Sequence, residues 1–150
     1  MATTITPQNL TVTISTAINL NGQSINSENS MVIPSITSID KRIVSAPTSS
    51  EVTMVLFSTA VAAGTLIAAN LKYLQITNKD AVNYARIRVT KSGGATFDTR
   101  LDAGQSFIMG NTKESVSATA VAFSTFDDAT SINAQAYTAA VDLEIFSASI

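Results

Sequence analysis

The chain contains no cysteine, no histidine and no tryptophan in 150 residues, and each absence removes a class of chemistry. Without cysteine there is no disulfide, no thiolate nucleophile and no thiolate metal ligand. Without histidine the commonest general base and the commonest metal ligand are missing. Ser-His-Asp triads, Cys-His dyads and ordinary zinc sites are therefore excluded. Charge is scarce as well. Only 13% of residues are charged, against about 25% in an average globular chain. The net charge is −2 and the pI is near 4.9, with no basic cluster of the kind that binds phosphate backbones. No nucleic-acid partner is expected. The longest apolar stretch, Val52 to Leu71, is broken by Ser58, Thr59, Gly64, Thr65 and Asn70. That makes it too polar for a membrane-spanning helix. The first residues show neither a basic nor an apolar signal region, so no secretory leader is expected.

What the chain does have is small apolar and small polar residues. Hydrophobic residues make up 45% and mean hydropathy is +0.26, with much of the remainder Ser, Thr and Asn. A surface built from these is uncharged and partly apolar, which points to protein–protein contact. A chain of this length is expected to form one domain and to bury roughly 70% of its unfolded surface, so it needs no metal or disulfide to fold, and no cofactor is expected.

The periodicity is that of strands. Leu10, Val12 and Ile14 alternate with Thr11, Thr13 and Ser15, and Asn21-Gly22 is a strong hairpin turn signal after Ile18 and Leu20. Residues 26–38 read as a loop or extended connector, because Pro34 cannot donate to a ladder. Residues 1–35 are thus expected to form an N-terminal arm or hairpin, and 36–150 a β-sandwich domain. Strands are expected over Ile39–Ala46 and Val52–Phe57, with a loop and a short strand at Leu66 and Ile67. Tyr73 to Met109 reads as a meander with turns at Asn78-Lys79-Asp80, Ser92-Gly93-Gly94 and Asp102-Ala103-Gly104. Further strands are expected at Ser117–Phe123, Ile132–Tyr137 and Val141–Ile145, with a loop at Asp127-Asp128. The fold class is therefore all-β: an antiparallel sandwich, jelly-roll-like, with an extended N-terminal arm or hairpin.

Few groups suggest chemistry. Asp127-Asp128, with Ser124 and Thr130, offers oxygen ligands but lacks the spacing and trailing Glu of a calcium loop, so a solvated turn is expected. Lys91-Ser92-Gly93-Gly94 precedes a strand and not a helix, which makes it a hairpin turn and not a phosphate cradle. Asp98, Asp102, Glu114, Asp142 and Glu144 could supply a glycosidase pair only with a sugar cleft, usually aromatic, and Tyr73, Tyr84 and Tyr137 form no stripe. Arg86 and Arg88 share one face of a strand, with Arg100 near them if the next strand pairs antiparallel. Pairing with acids of a neighbouring subunit is expected for them, more than an anion or glycan site. No catalytic, cofactor or metal residues are assigned. Leu10, Val12, Ile14, Arg86 and Arg88 are the expected interface residues.

Three successive segments carry a resemblance: Tyr73-Leu74-Gln75-Ile76-Thr77-Asn78, Tyr84-Ala85-Arg86-Ile87-Arg88-Val89, and Leu101-Asp102-Ala103-Gly104-Gln105-Ser106-Phe107. Together they resemble small β-sandwich virion proteins of tailed bacteriophages. The resemblance covers about a quarter of the chain and involves structural motifs only. It implies a non-enzymatic capsid decoration or cement protein, made in the host cytoplasm and carried on the virion surface. The implied partners are copies of itself, as a trimer or other small oligomer, and the major capsid protein or other virion proteins. A tail, collar or baseplate subunit, or a carbohydrate- or receptor-binding β-module, is the alternative.

Overall fold

The computed structural model describes residues 4–116 and 125–150, and the strand expected at Ser117–Phe123 lies outside them. Three sheets are present among the described residues. A two-stranded ribbon joins β1 (Gln8–Leu20) to β2 (Gln23–Ile36). The first main sheet contains β4 (Val52–Ser58), β5 (Thr65–Ile67), β7 (Ala85–Lys91), β8 (Thr96–Leu101), β10 (Lys113–Glu114) and β11 (Asp127–Ala136). Its order is β5-β4-β11-β7-β8, with β10 beside the start of β11. The second contains β3 (Ser38–Ala46), β6 (Leu71–Asn78), β9 (Ser106–Met109) and β12 (Val141–Ser149), in the order β3-β12-β6-β9. Among the described residues all pairings are antiparallel except β4 with β5.

Period-2 alternation builds the core. Ile87 and Val89 of β7 and Ile132 and Ala134 of β11 meet Leu74 and Ile76 of β6 and Leu143 and Ile145 of β12 in one buried cluster. The intervening residues, Arg86 and Arg88 or Gln75 and Thr77, face outward as a sandwich requires. The fold is an all-β sandwich. Arg42, on the edge strand β3, reaches across to donate to the Met54 carbonyl of β4 at 2.7 Å, tying the two sheets at their margin.

The segment Tyr73–Met109 is not one meander. Only β7 and β8 pair as a hairpin, while β6 and β9 pair with each other in the opposite sheet. The chain crosses between sheets after Asn78 and again after Leu101. Asn78 is the reason the crossings hold. Its buried side chain donates to the carbonyls of Asn83 (2.9 Å) and Leu101 (3.1 Å) and accepts from the Asp80 N–H (2.9 Å). Its backbone bonds Gln105 and Gly104. One side chain thus grips both crossing strands.

Two further expectations change. Residues 26–36 belong to β2 and are not a connector. Pro34 is accommodated because Pro34 and Ser35 together oppose Asn9, between the pairs Leu10–Ile33 and Gln8–Ile36. Such a bulge needs no ladder donor at Pro34, and Ser35 takes the left-handed backbone (φ 63°) that the extra residue demands. Asp127-Asp128 opens β11 and is no loop: each carboxylate lies against a lysine, which removes the repulsion that would keep the pair solvated.

Candidate functional site

The ribbon β1–β2 is about 40 Å long, given the rise per strand residue, and only its root packs on the sandwich. Its two faces differ completely. Directly paired residues share a face, so Leu10–Ile33, Val12–Met31, Ile14–Asn29, Thr16–Ser27, Ile18–Ile25 and Leu20–Gln23 stack along one side. The other side carries Thr11, Thr13, Ser15, Ala17 and Asn19 against Val32, Ser30, Glu28, Asn26 and Ser24. One face is therefore largely apolar and the other mostly hydroxyl and amide. Glu28 is the single charged residue of the arm. The hairpin closes through Asn21 (φ 51°) and Gly22 (φ 80°), the two left-handed positions of a type I′ turn.

Only the root of the apolar face is covered. Leu10, Val12 and Ile33 pack with Ile36, Tyr73, Phe146 and Ala148 on the outer face of the β3-β12-β6-β9 sheet, a cluster separate from the main core. Tyr73 and Phe146 meet edge to face at 6.1 Å. Burial raises the Tyr73 hydroxyl pKa above its ordinary value, and that hydroxyl donates to Gln75 Oε1 at 2.9 Å. Gln75, Thr77 and Ser106 continue as a hydrogen-bonded polar ladder across the sheet. Beside the arm's root lies an open crevice of about 360 Å³, with Val12, Tyr73, Phe146, Gln75 and the Lys41–Glu144 pair among its walls. Beyond the root the apolar side chains are about half exposed or more: Ile14 is 51% exposed, Ile18 55%, Leu20 61%, Ile25 62% and Met31 47%.

The outer face of the other main sheet is polar and neutralised from within. Arg88 Nε and Nη2 form a two-point contact with Asp98 at 2.7 and 2.8 Å, and its Nη1 reaches Glu51 at 2.7 Å. Arg86 also pairs with Glu51, and its Nη1 lies 3.6 Å from Asp98. The hydrogen bond from Arg88 holds the Asp98 carboxyl below its usual range, aided by the charges of Arg88 and Arg86. The two arginines thus pair with this chain's own acids. Glu51, one residue before β4, could not be placed there from sequence. At the end of the same face the Arg100 guanidinium lies 3.8 Å over the ring of Tyr84, and Tyr84 stacks with Tyr137 at 5.3 Å and 14°. Sequence reading missed this stack, since its members are separated by up to 53 positions and only the antiparallel pairing of Arg86 with Arg100 and with Gln135 unites them.

The five expected interface residues therefore fall on two opposite surfaces. Leu10, Val12 and Ile14 share the arm's apolar face, with only Ile14 largely uncovered, whereas Arg86 and Arg88 lie across the sandwich. The carboxylates are dispersed as well. Asp98 pairs with Arg88, Asp102 with Arg100, Asp127 with Lys91 at 2.5 Å and Asp128 with Lys113 at 2.9 Å and Thr112 at 2.8 Å. Asp142 and Glu144 lie on the outer face of the β3-β12-β6-β9 sheet, the side of the sandwich away from Asp98. Among the described residues no group of three or more acids converges as a metal site would require. No protein-family model matches the chain, and no curated protein matches it significantly.

Proposed function

We propose that this chain is a non-enzymatic structural subunit of a bacteriophage virion, a decoration or cement protein that stabilises the capsid shell. The observation that carries the reading is the arm. A rigid sandwich with an uncharged, two-faced ribbon packed on it only at the root is built to contact neighbours, because an isolated two-stranded ribbon is only marginally stable in water. Its apolar side and open strand edges gain most when covered. A protein that binds only the assembled shell stabilises it by mass action. The resemblance carried by the segments within residues 73–107 supports the same reading, and two of them, Tyr73–Asn78 and Leu101–Phe107, meet at Asn78. The partners under this reading are further copies of the chain and the major capsid protein.

The test is removal of the gene from the phage that carries it. Particles should still form but release their nucleic acid several degrees lower on heating, and mass spectrometry should find the protein in wild-type heads. Unchanged release together with absence from purified virions would end the proposal. Presence in tails alone would move the same module to a tail, collar or baseplate.

One observation favours a second reading, a carbohydrate- or receptor-binding module. Tyr137 is 72% exposed while held flat on Tyr84, beside Gln135 and Arg86. A fixed ring open to solvent suits a sugar's apolar face. Binding on a glycan array that Tyr137→Ala abolishes would select it.

A further inference from the structure

We infer that the distal apolar face of the arm is a two-fold contact that packs against the same face of a second copy of this chain. The inference deepens the assembly reading above and rests on it only for its biological setting.

The area argument comes first. Ile14, Ile18, Leu20, Ile25 and Met31 are each about half exposed or more. Such side chains leave roughly 100 Å² apiece, so on the order of 500 Å² of apolar surface lies on one side of a ribbon. The Thr16–Ser27 pair crosses this face between Ile14 and Ile18, so the area is shared between two neighbouring apolar patches whose sum falls within the about 300–600 Å² of the largest patch on a monomer. With Thr16, Gln23, Ser27 and Asn29 on the same face, it approaches the roughly 800 Å² per partner that a stable pair buries.

Charge then selects the occupant. Residues 8–36 contain no Lys or Arg, and their single acid, Glu28, pairs with Ser15 on the opposite face. Nothing on the arm would attract a lipid headgroup or a phosphate backbone. An identical face offers the arm an apolar surface and removes no charge from water. Two ribbons can pack face to face as the sheets of a sandwich do, about 10 Å apart. A self-complementary patch closes on itself under two-fold symmetry. The neighbour's sheet is a poorer seat. Between its exposed Ile43 and Ile108 lie the Lys41–Glu144 pair and the Gln75–Thr77–Ser106 ladder, which an apolar ribbon would desolvate. This contact is a dimer contact, within the small oligomers that the resemblance implies but not the trimer it favours.

Since the chain has no cysteine, a single introduced thiol reports the contact. Full-length Thr16→Cys, Ile18→Cys and Ile25→Cys variants are oxidised in turn, with Ser15→Cys on the opposite face as control. At least one of the first three should become a disulfide-linked dimer, and Ser15→Cys should not. Light scattering at several concentrations should give the wild-type chain twice its 15.7 kDa mass. The double variant Ile18→Asp/Ile25→Asp should halve that mass with an unchanged circular dichroism spectrum. A wild-type monomer at all concentrations, or crosslinking no better than Ser15→Cys, would overturn the contact. Crosslinking of Ile18→Cys only to an added Ile43→Cys chain would also overturn it, because the arm would then lie on the neighbour's sheet. A dimer that leaves virion stability untouched would refute the decoration role and leave this contact standing.

Discussion

Asn78 shows how much of this fold depends on one amide. It stands where β6 ends, and its side chain supplies three hydrogen bonds to segments that leave and re-enter the sheet. Asp80 completes the turn. Its carboxylate accepts the Val82 and Asn83 N–H groups at 2.7 and 2.6 Å, which holds its pKa below the ordinary carboxylate range. Asn78→Ala would strand two carbonyls and one N–H in a site that is almost wholly buried. The expected loss is about 3 kcal/mol, read as a lower urea midpoint without a change in slope. A shift within about 0.5 kcal/mol would mean that water replaces the amide. From sequence, Asn78 is legible only as a turn former. Its partner Leu101 is 23 residues away, and no local pattern announces such a bond.

At the scale of the element, the arm was half legible. The alternation of Leu10, Val12 and Ile14 and the Asn21-Gly22 turn mark the hairpin plainly, because both signals are local. Pro34 hid the second half, since a bulge is a pairing property and cannot be seen in one strand alone. The Asp127-Asp128 strand was hidden for the same reason, as Lys91 and Lys113 neutralise it from elsewhere in the chain. The turn itself gives a prediction. A Cβ at Gly22 would meet nothing within 4 Å, so any cost there is purely one of backbone conformation. Gly22→Val, forced to φ near +80°, should cost about 1–2 kcal/mol locally. Amide exchange should quicken across Ile18–Ile25 while the melting temperature of the sandwich stays within a degree or two. The arm's root cluster is separate from the main core, which is why the effect should remain local.

For the whole molecule, the sparse charges set the acid limit of stability. Asp98 is held down by Arg88, Asp128 by Lys113 and Thr112, and Asp80 by backbone N–H groups. A lowered carboxyl contributes stability above its unfolded value, near pH 4, and loses it as pH falls through the folded value. Glu114 opposes them, because burial raises its pKa, so its contribution is present in acid and lost as pH rises. Three against one, the urea midpoint should fall as pH drops below about 4. Asp98→Asn should flatten part of that fall. These groups are largely open to solvent, so added salt should shrink the effect. A midpoint independent of pH would show that the network contributes nothing measurable. The sandwich class was readable from strand spacing, while the division of strands between its sheets was not. Pairings such as β3 with β12 depend on which edges meet once the chain has collapsed.

That pairing also orders events in time. β12 lies between β3 and β6, so as the chain leaves the ribosome β3 cannot join the second sheet until that sheet's latest strand has emerged. The hairpin β1–β2 needs only its own neighbours and can close in microseconds, whereas the sandwich waits for distant partners and folds orders of magnitude more slowly. For that interval the ribbon has its own pairing but not the sheet its root packs on, so it forms and opens repeatedly while its apolar face is uncovered. Nascent chains on neighbouring ribosomes could meet through it before either has a core, so the chain's yield should depend on how crowded its translation is.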